Sequence, residues 1–455
     1  MSGAGDLGPS PGSMPWRELS RALAAALATP LRTLGYLARR SDLRREIAAD
    51  LSPSEVRVES PDVPPLPARP LRVFVSAAEA SGELHATRLV ESLAALVDGR
   101  GAPAPSVRGF GGERLAAAGV ERLADPVRRA AMGFEGIVAA LPFYMDLVRR
   151  AAEAFRTFRP DVFVPVDSPA LHVPLARVAQ RYGVPVVHFV TPQYWGWAPW
   201  RVAAYRRVVD RALTILPFEP AWFGRRGVAA AHVGHPLLDT LGPAPELSSR
   251  DRGPLALLPG SRAGVIERNL PWMLRAAARL REETGALEVV VVQDDASHAP
   301  RIEAHLAPHR AFARLEAGDL HASLARARAA LSISGTVLVD VLHQRLPTVV
   351  VYRLRTRREL WMYRNLLTVP WFASVNLLAG EELLPEFCFR GEGPTEEVGR
   401  ALERCYKDAD WRARCARGLE LAARRLGPPG ACERAARHAL EVALSRSSPA
   451  APGNR

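Results

Sequence analysis

The sequence predicts an α/β protein with two doubly wound, Rossmann-type halves, a cleft between them and a helical extension at the N-terminus. Each half begins with an apolar, strand-like run followed by a turn of small residues that opens a helix. These turns are Ala78–Glu83, after Leu71–Val75, and Leu258–Arg262, after Pro254–Leu257. Glycine in such a turn lets the backbone approach a ligand, while free N–H groups and the helix dipole favour an anion. Two such turns predict two nucleotide-type halves.

Length and charge narrow the class of protein. A chain of 455 residues can form two or three domains. Its net charge of +12 comes from arginine, because Lys407 is the single lysine. A basic surface suits nucleic acid, an anionic membrane or a phosphorylated substrate. The sequence has no basic low-complexity tail, RNA-binding aromatic signature or helix-turn-helix pattern, so we expect no nucleic-acid partner.

The cysteine pattern and the hydropathy of the sequence indicate the cellular compartment. The four cysteines lack CxxC spacing, so neither a zinc site nor a redox pair is expected, and a reducing cytoplasm is predicted. The sequence shows no signal-peptide pattern and no apolar run of about 20 residues. Any membrane contact is therefore expected to be peripheral.

The first 70 residues are predicted to form an extension. Residues 1–14 are rich in Gly, Ser and Pro, and Trp16–Ala49 has the leucine spacing of a helix with arginines interspersed. Pro30 is expected to break or kink that helix. A basic interfacial helix and a helix packed on the catalytic body or a second subunit both fit the pattern. Residues 52–70, with six prolines, are predicted to be a linker.

From Leu71 onward, apolar strands alternate with helical segments, which is typical of parallel α/β sheets. The strands predicted for the first half, residues 71–245, are Val73–Ser76, Val107–Phe110, Val162–Val166, Val186–Val190, Leu213–Leu216 and Ala230–Val233. Those predicted for the second half, residues 246–395, are Leu255–Leu258, Leu287–Val292, Ala311–Leu315, Ala329–Ile333 and Thr348–Tyr352. Residues 396–455 are expected to form C-terminal helices and a tail.

The second half carries the residues expected to bind a diphosphate. Ser334-Gly335-Thr336 follows a strand and precedes a helix, with Asp340 one turn further on. Backbone N–H groups of such a loop can bind a diphosphate, and a carboxylate one turn on can reach a ribose diol. Gly260, Ser261 and Arg262 lie after another strand of this half, and the arginine supplies positive charge for a leaving nucleoside diphosphate.

The first half carries polar groups and aromatic rings at strand ends. Val166–Pro169, which includes Asp167, lies at the C-terminal end of a strand, where open α/β sheets bind ligands. Thr191–Trp197 is an aromatic cluster that could stack on a sugar or base, or pack a loop against the core. His85 and His172 are isolated histidines, for which a structural role is the commoner one.

In combination these residues resemble lipid-A-disaccharide synthase, a bacterial glycosyltransferase family. The matching motifs, in family order over about residues 71–385, are Glu79–Gly82, Ala131–Gly133, Pro160–Val164, Val166–Pro169, Trp195–Trp197, Leu216–Glu219, Gly234–Pro236, Leu258–Arg262, Ser334–Thr336, Tyr352-Arg353 and Asn376–Gly380.

The resemblance implies a GT-B fold and an inverting, metal-free transfer that needs no cofactor. A diacylglucosamine would pass from its UDP derivative to the 6-hydroxyl of a diacylglucosamine 1-phosphate, releasing UDP. The donor-binding residues it implies are Gly260, Ser261, Arg262, Ser334, Gly335, Thr336, Asp340 and Asn376. The acceptor-side residues it implies are Glu79, Ser81, Gly82 and Met132. Acylated substrates imply a cytoplasmic protein, peripheral on the inner face of the cytoplasmic membrane, and a homodimer stays open.

The catalytic base is where this chain departs from the family. The family usually reads Asp-x-Pro-Asp-Phe-Asn, whereas this chain reads Asp167-Ser168-Pro169-Ala170-Leu171-His172, so Ala170 occupies the position of the family's candidate base. We expect His172, His85 or Asp167 to accept the proton instead. Two alternatives remain: a related UDP-sugar transferase with a different acceptor, and a UDP-sugar-binding protein without catalysis.

Overall fold

The computed structural model describes residues 10–51, 56–131, 137–242 and 252–445. The chain forms two compact units, each with one sheet. The first comprises Met1–Arg39, Val56–Thr240 and Gly427–Arg455, and the second comprises Arg40–Glu55 and Leu241–Leu426. Residues 427–445 therefore belong to the unit of the first sheet, and residues 396–426 belong to the unit of the second.

The first unit contains a seven-stranded parallel sheet. Its strands are β1 (Arg72–Ala77), β2 (Ser106–Phe110), β3 (Glu121–Ala124), β4 (Val162–Val166), β5 (Val187–Phe189), β6 (Arg211–Thr214) and β7 (Ala230–His232). They lie in the order β3-β2-β1-β4-β5-β6-β7 and every pairing is parallel. The strand order reverses between β1 and β4, which is where doubly wound sheets bind ligands.

The second unit contains a six-stranded parallel sheet. Its strands are β8 (Leu255–Leu258), β9 (Val289–Gln293), β10 (Ala313–Ala317), β11 (Ala329–Ile333), β12 (Thr348–Leu354) and β13 (Glu386–Arg390). They lie in the order β10-β9-β8-β11-β12-β13, again all parallel. Here the order reverses between β8 and β11.

The helices of the first unit are α2 (Ala80–Asp98), α3 (Glu113–Ala117), α4 (Pro126–Ala131), α5 (Ile137–Thr157), α6 (Pro169–Arg181), α7 (Val202–Tyr205), α8 (Glu219–Gly224) and α17 (Ala431–Ser445). Those of the second are α9 (Ala263–Thr284), α10 (Ala299–Leu306), α11 (Leu320–Arg326), α12 (Val337–His343), α13 (Arg357–Leu366), α14 (Ser374–Ala379), α15 (Thr395–Lys407) and α16 (Ala409–Arg424). Helix α1 (Met14–Asp50) contributes to both units.

The return of the chain to the first unit has a clear physical basis. Helix α17 packs its small residues against α2 in the core of that unit. Its N-terminus is capped from a distance, because the Asp239 carboxylate accepts hydrogen bonds from the backbone N–H groups of Gly430, Ala431 and Cys432 at 2.6, 3.0 and 2.9 Å. A carboxylate satisfies the free N–H groups of a helix N-terminus and complements its dipole.

Two strands and one helix differ from the sequence predictions. Strands β3 and β13 were not expected because both lie at sheet edges and lack the continuous apolar run of a strand buried on both faces. The helix predicted over Trp16–Ala49 is confirmed. The alternative of a break at Pro30 is wrong, since α1 is assigned as continuous helix through that residue.

Candidate active site

The four predicted turns follow the four strands that flank the two reversals of strand order. In the first unit, Glu79–Gly82 follows β1 and Asp167 follows β4; in the second, Gly260–Arg262 follows β8 and Ser334–Thr336 follows β11. The strand pairs are in register at their ends, with Ala77 opposite Val166. Parallel strands in register bring their following turns side by side, so each unit presents two predicted motifs together.

The turn after β4 has an unusual backbone. Asp167 and Ser168 are consecutive non-glycine residues with positive φ, 55° and 44°. This left-handed conformation costs a side-chain-bearing residue free energy and persists only where neighbouring groups hold it. The turn leads directly into α6, whose first residue is Pro169.

Two buried histidines hold that turn through one carbonyl group. His172 Nδ1 lies 2.6 Å and His188 Nε2 3.0 Å from the carbonyl oxygen of Asp167. A carbonyl only accepts, so both ring nitrogens donate. The other nitrogen of His172, Nε2, lies 2.9 Å from Ser76 Oγ and accepts its hydroxyl proton. We therefore assign both rings as neutral, which agrees with burial lowering the pKa of His172 to about 4 and of His188 to about 3.

The Asp167 residue lies beside Gly82, in the segment that follows β1. A Cβ on Gly82 would lie 3.5 Å from the carbonyl oxygen of Val166 and 3.9 Å from Asp167 Cβ, so the two turns pack closely. Burial and the negative charge of Glu79 raise the pKa of Asp167. The structure thus brings together Glu79, Gly82 and Asp167, which the sequence had placed in separate motifs. Ser81 is exposed at the start of α2.

The remaining first-unit candidates are placed differently. His85 is buried on α2, where its carbonyl oxygen contacts Cys432 Sγ at 3.9 Å. Burial lowers the pKa of His85 to about 4, opposed by Asp239 and reinforced by Arg88. Met132 lies outside the described residues.

A buried carboxylate anchors the predicted aromatic cluster. Glu219 accepts hydrogen bonds from Trp195 Nε1 at 2.8 Å, from the backbone N–H groups of Leu216 and Ile215 at 2.9 and 3.1 Å, and from Thr191 Oγ1 at 3.3 Å. Burial raises the pKa of Glu219 to about 7, and these donors oppose the rise. Trp195 is thus a packing residue, whereas Trp197 is 36% exposed.

In the second unit the turn after β8 requires its glycine. Gly260 has φ 109°, and a Cβ there would lie 2.7 Å from Ile333 Cδ1, at the end of β11. The carbonyl oxygens of this turn are held from outside it, with Gln293 Nε2 donating to Gly260 at 3.1 Å and His298 Nε2 to Ser261 at 2.9 Å. Arg262 is exposed and is the N-cap residue of α9, a helix of 22 residues.

The turn after β11 lies beside it. Ser334 is half-buried and its hydroxyl lies 3.4 Å from the carbonyl oxygen of Phe372, whereas Gly335 and Thr336 are exposed. On the helix that follows, burial raises the pKa of Asp340 to about 6, opposed by His321, whose Nδ1 lies 3.7 Å from Asp340 Oδ1.

More arginine side chains lie near α9 than the sequence predicted. A Cβ on Gly264, in the first turn of α9, would lie 3.6 Å from Arg355 Nη2. Arg353 donates to the carbonyl oxygens of Arg268 at 2.5 Å and Gly391 at 2.9 Å. Sequence reasoning missed Arg355 and His321. Arg355 directly follows β12 and His321 lies at the start of α11, and these positions were the signal that could have identified them.

Asn376 is fully buried, at 0% exposure. Its Nδ2 donates to Leu384 O at 2.8 Å and to Glu386 Oε2 at 3.0 Å, while its Oδ1 accepts from Leu384 N at 2.8 Å. Glu386 in turn accepts from the backbone N–H groups of Phe372 and Ala373, both at 2.9 Å. In this conformation Asn376 holds the segment after α14 directly and the loop before α14 through Glu386, and it has no surface for a ligand.

The described residues contain neither a metal-binding cluster nor a membrane-spanning helix. In residues 10–51, 56–131, 137–242 and 252–445, no group of three or more His, Cys, Asp or Glu side chains is arranged to hold a metal ion. Among the helices of these same ranges, none has both the length and the apolar composition needed to cross a bilayer.

Comparison with known proteins identifies the family. The family model for lipid-A-disaccharide synthetase (LpxB) matches residues 73–420. The lipid-A-disaccharide synthase of Myxococcus xanthus is 36% identical over 382 residues, covering 82% of this chain and 98% of that protein. The enzyme of the same name from Anaeromyxobacter dehalogenans strain 2CP-1 is 34% identical, covering 82% and 97%.

Among solved structures, MnaA of S. aureus in complex with UDP superimposes with a TM-score of 0.54 at 13% identity, covering 80% of this chain and 94% of that one. At this identity the likeness concerns the fold alone, and it agrees with two Rossmann-type units of the GT-B kind. The sequence matches, together with the placement of four family motifs at the two reversals of strand order, lead to one conclusion. The chain belongs to the lipid-A-disaccharide synthetase family and is a glycosyltransferase of lipid A synthesis.

Proposed function

We propose that this protein joins UDP-2,3-diacylglucosamine to 2,3-diacylglucosamine 1-phosphate, forming the lipid A disaccharide and UDP. The observation that carries this proposal is the position of the four family turns, two beside each other in each unit. The 6-hydroxyl oxygen of the acceptor attacks the anomeric carbon of the donor, the bond from that carbon to the UDP oxygen breaks, and the hydroxyl proton passes to a protein base. Attack opposite the leaving group inverts the anomeric configuration.

The second unit binds the donor in this proposal. Backbone N–H groups of the turns at Gly260–Arg262 and Ser334–Thr336 hold the diphosphate, and Arg262 stabilises the negative charge that develops on it. The length of α9 and the additional charge of Arg355 support this role. The Asp340 carboxylate binds the ribose hydroxyls, with His321 beside it. Asn376 acts as a positioning residue, because its amide is used entirely within the loop.

The first unit binds the acceptor, and Asp167 is the base. Its pKa is raised by burial and by Glu79, which brings a carboxyl group closer to the neutral range where a general base works best. His172 is a poorer candidate, because Nδ1 donates to a carbonyl and Nε2 already accepts from Ser76. His85 is buried against α17. Both histidines therefore receive structural roles, and Glu79, Ser81, Gly82 and Met132 are assigned to the acceptor.

The substrates proposed here are acylated, so we place the protein at the inner face of the cytoplasmic membrane as a peripheral protein, working on lipids that stay in the bilayer. Its net charge of +12 supports contact with an anionic surface. A homodimer is compatible with this arrangement, and light scattering of the purified protein would determine the oligomeric state.

The test is incubation of the purified protein with both substrates, followed by mass spectrometry of the lipid products and measurement of released UDP. The proposal predicts the disaccharide in amounts equal to UDP. UDP release only with another acceptor would instead support a transferase with a different acceptor. UDP binding without any product would support a binding protein.

A further inference from the structure

Helix α1 carries an exposed apolar stripe. Trp16, Leu23, Leu27, Leu31 and Leu34 are 65, 58, 83, 75 and 64% exposed, and they are five of the nine large exposed hydrophobic side chains in the described part of the chain. At about 100° per residue, these five positions fall within an arc of about 80° on the helix. Contiguous exposed apolar surface of this kind marks an interaction site.

The opposite side of the same helix is buried near its two ends. Met14, Glu18, Tyr36 and Ile47 are 0, 6, 4 and 1% exposed, and their positions fall within an arc of about 60° facing away from the stripe. Within the first unit, the Glu18 carboxylate pairs with Arg177, and the Tyr36 ring lies 5.7 Å from that of Trp200. The helix is therefore attached near its two ends, whereas the turns between Glu18 and Tyr36, which carry most of the stripe, have no buried residue.

The second unit holds the C-terminal end of α1. Arg40 Nη2 donates to the carbonyl oxygen of Arg364, and Arg44 Nε donates to that of Leu367 at 3.3 Å, at the C-terminus of α13. Arginines often satisfy the free carbonyl groups of a helix C-terminus in this way. Within the first unit, the contacts of Glu18 and Tyr36 lie on either side of the exposed segment that contains Leu23, Leu27, Leu31 and Leu34.

Charge selects the partner of the stripe. Between residues 19 and 41 the helix has four arginines, Arg21, Arg32, Arg39 and Arg40, and no acidic residue. These arginines lie about 120–140° from the centre of the stripe, and an apolar face backed by a cationic polar face is the pattern of helices that lie on anionic lipid surfaces. The segment lies outside residues 73–420, which the family model matches.

We propose that the stripe Trp16–Leu34 is the membrane-docking surface of this protein, with α1 lying in the plane of an anionic bilayer and its five apolar side chains inserted below the headgroups. This rests on the proposed function only for the identity of the membrane that holds the substrates. The docking itself rests on exposure, helix geometry and charge.

The test is co-sedimentation of the full chain with phosphatidylglycerol–phosphatidylethanolamine vesicles and with phosphatidylcholine vesicles. Leu27→Asp and Leu31→Asp change the stripe, and Ala25→Asp is the matched control, because Ala25 is exposed on the same helix, about 160° from Leu27, and gains the same charge. Each leucine variant is expected to lower the partition coefficient for anionic vesicles by about tenfold or more. The control is expected to change it by less than about threefold, and wild-type binding is expected to weaken in phosphatidylcholine and in high salt.

Equal binding by Leu27→Asp/Leu31→Asp and wild type would overturn the proposal, as would an equal loss in Ala25→Asp. Conversion of a dimer to a monomer by the double variant, with vesicle binding unchanged, would assign the stripe to a second copy and also overturn it. Circular dichroism confirms that each variant is folded. Transfer measured with substrates in detergent micelles separates the two proposals: wild type that binds vesicles but makes no disaccharide refutes the reaction and leaves the docking surface standing.

Discussion

Replacing His172 tests whether this ring is a base or a positioning residue. His172→Ala removes one of the two donors to the Asp167 carbonyl, at 2.6 Å, and the acceptor of the Ser76 hydroxyl, at 2.9 Å. His172→Asn is the matched variant, because an asparagine amide can place a donor near the position of Nδ1. The ring is fully buried, so its loss also leaves a cavity.

The expected magnitude follows from these contacts. Two hydrogen bonds contribute about 1 kcal/mol each, and the cavity adds about 2 kcal/mol, so His172→Ala should destabilise the protein by about 4 kcal/mol. The carbonyl group of Asp167, in the left-handed turn, would then keep His188 as its side-chain donor. A displacement of about 1 Å at a reacting group can cost about a hundredfold in rate, so a fall in kcat of about ten- to a hundredfold is expected. The asparagine variant should recover most of it.

The assay is initial-rate UDP release at a temperature where circular dichroism shows each variant folded, measured from pH 5 to 9. At saturating donor, where donor binding through Asp340 no longer affects the rate, the acid limb of the kcat profile belongs to Asp167, because His172, with a pKa lowered to about 4, stays neutral over this range. His172→Ala should therefore keep that limb. If the limb disappears in both variants and activity falls more than about a thousandfold in each, His172 is the base and the assignment to Asp167 is wrong.

Three further predictions concern the other carboxylates and the donor site. Arg262→Ala should lower turnover by about a hundredfold or more, while Arg279→Ala, exposed on the same helix, should not; equal rates for both variants would remove Arg262 from the diphosphate site. Asp340 becomes ionised as pH rises through about 6, so wild type should bind uridine more tightly at pH 7 than at pH 5. Calorimetry should find that Asp340→Asn loses this difference in affinity. A pH dependence that the variant keeps would contradict the ribose contact. Glu219→Gln would place an amide N–H group next to the N–H donors that the carboxylate now accepts from. It should lower the free energy of unfolding, measured by urea titration, by about 3 kcal/mol. An unchanged unfolding midpoint would show that the carboxylate does not anchor this loop.

Sequence reasoning located the motifs better than it assigned their chemistry. Gly260 and Gly82 mark turns at the ends of apolar strands, and such strands are recognisable because their sequence is continuous in apolar residues. Edge strands such as β13 lack that signal. The reversal of strand order, which makes neighbours of Gly82 and Asp167, depends on pairings distant in sequence and is visible only in the sheet.

Burial explains what could not be predicted at the level of side chains. His172 and Asn376 look like candidates for chemistry in the sequence, since both are polar and close to family motifs. In the structure each has its side-chain groups bonded to protein atoms, His172 to Ser76 and Asp167, and Asn376 to Leu384 and Glu386. Whether a polar side chain has all its hydrogen bonds within the protein depends on the backbone carbonyl groups around it. A sequence pattern carries little information about those groups.

The most direct test of the central claim compares wild type with Asp167→Asn in the formation of the disaccharide. Both proteins are incubated with UDP-2,3-diacylglucosamine and 2,3-diacylglucosamine 1-phosphate, the product is quantified by mass spectrometry, and UDP binding is measured in parallel. We expect wild type to form the disaccharide and Asp167→Asn to form it about a hundred- to ten-thousandfold more slowly, with UDP affinity within about twofold of wild type. Disaccharide formation by Asp167→Asn at the wild-type rate would contradict the assignment of the base, and no disaccharide from wild type would contradict the proposed reaction itself.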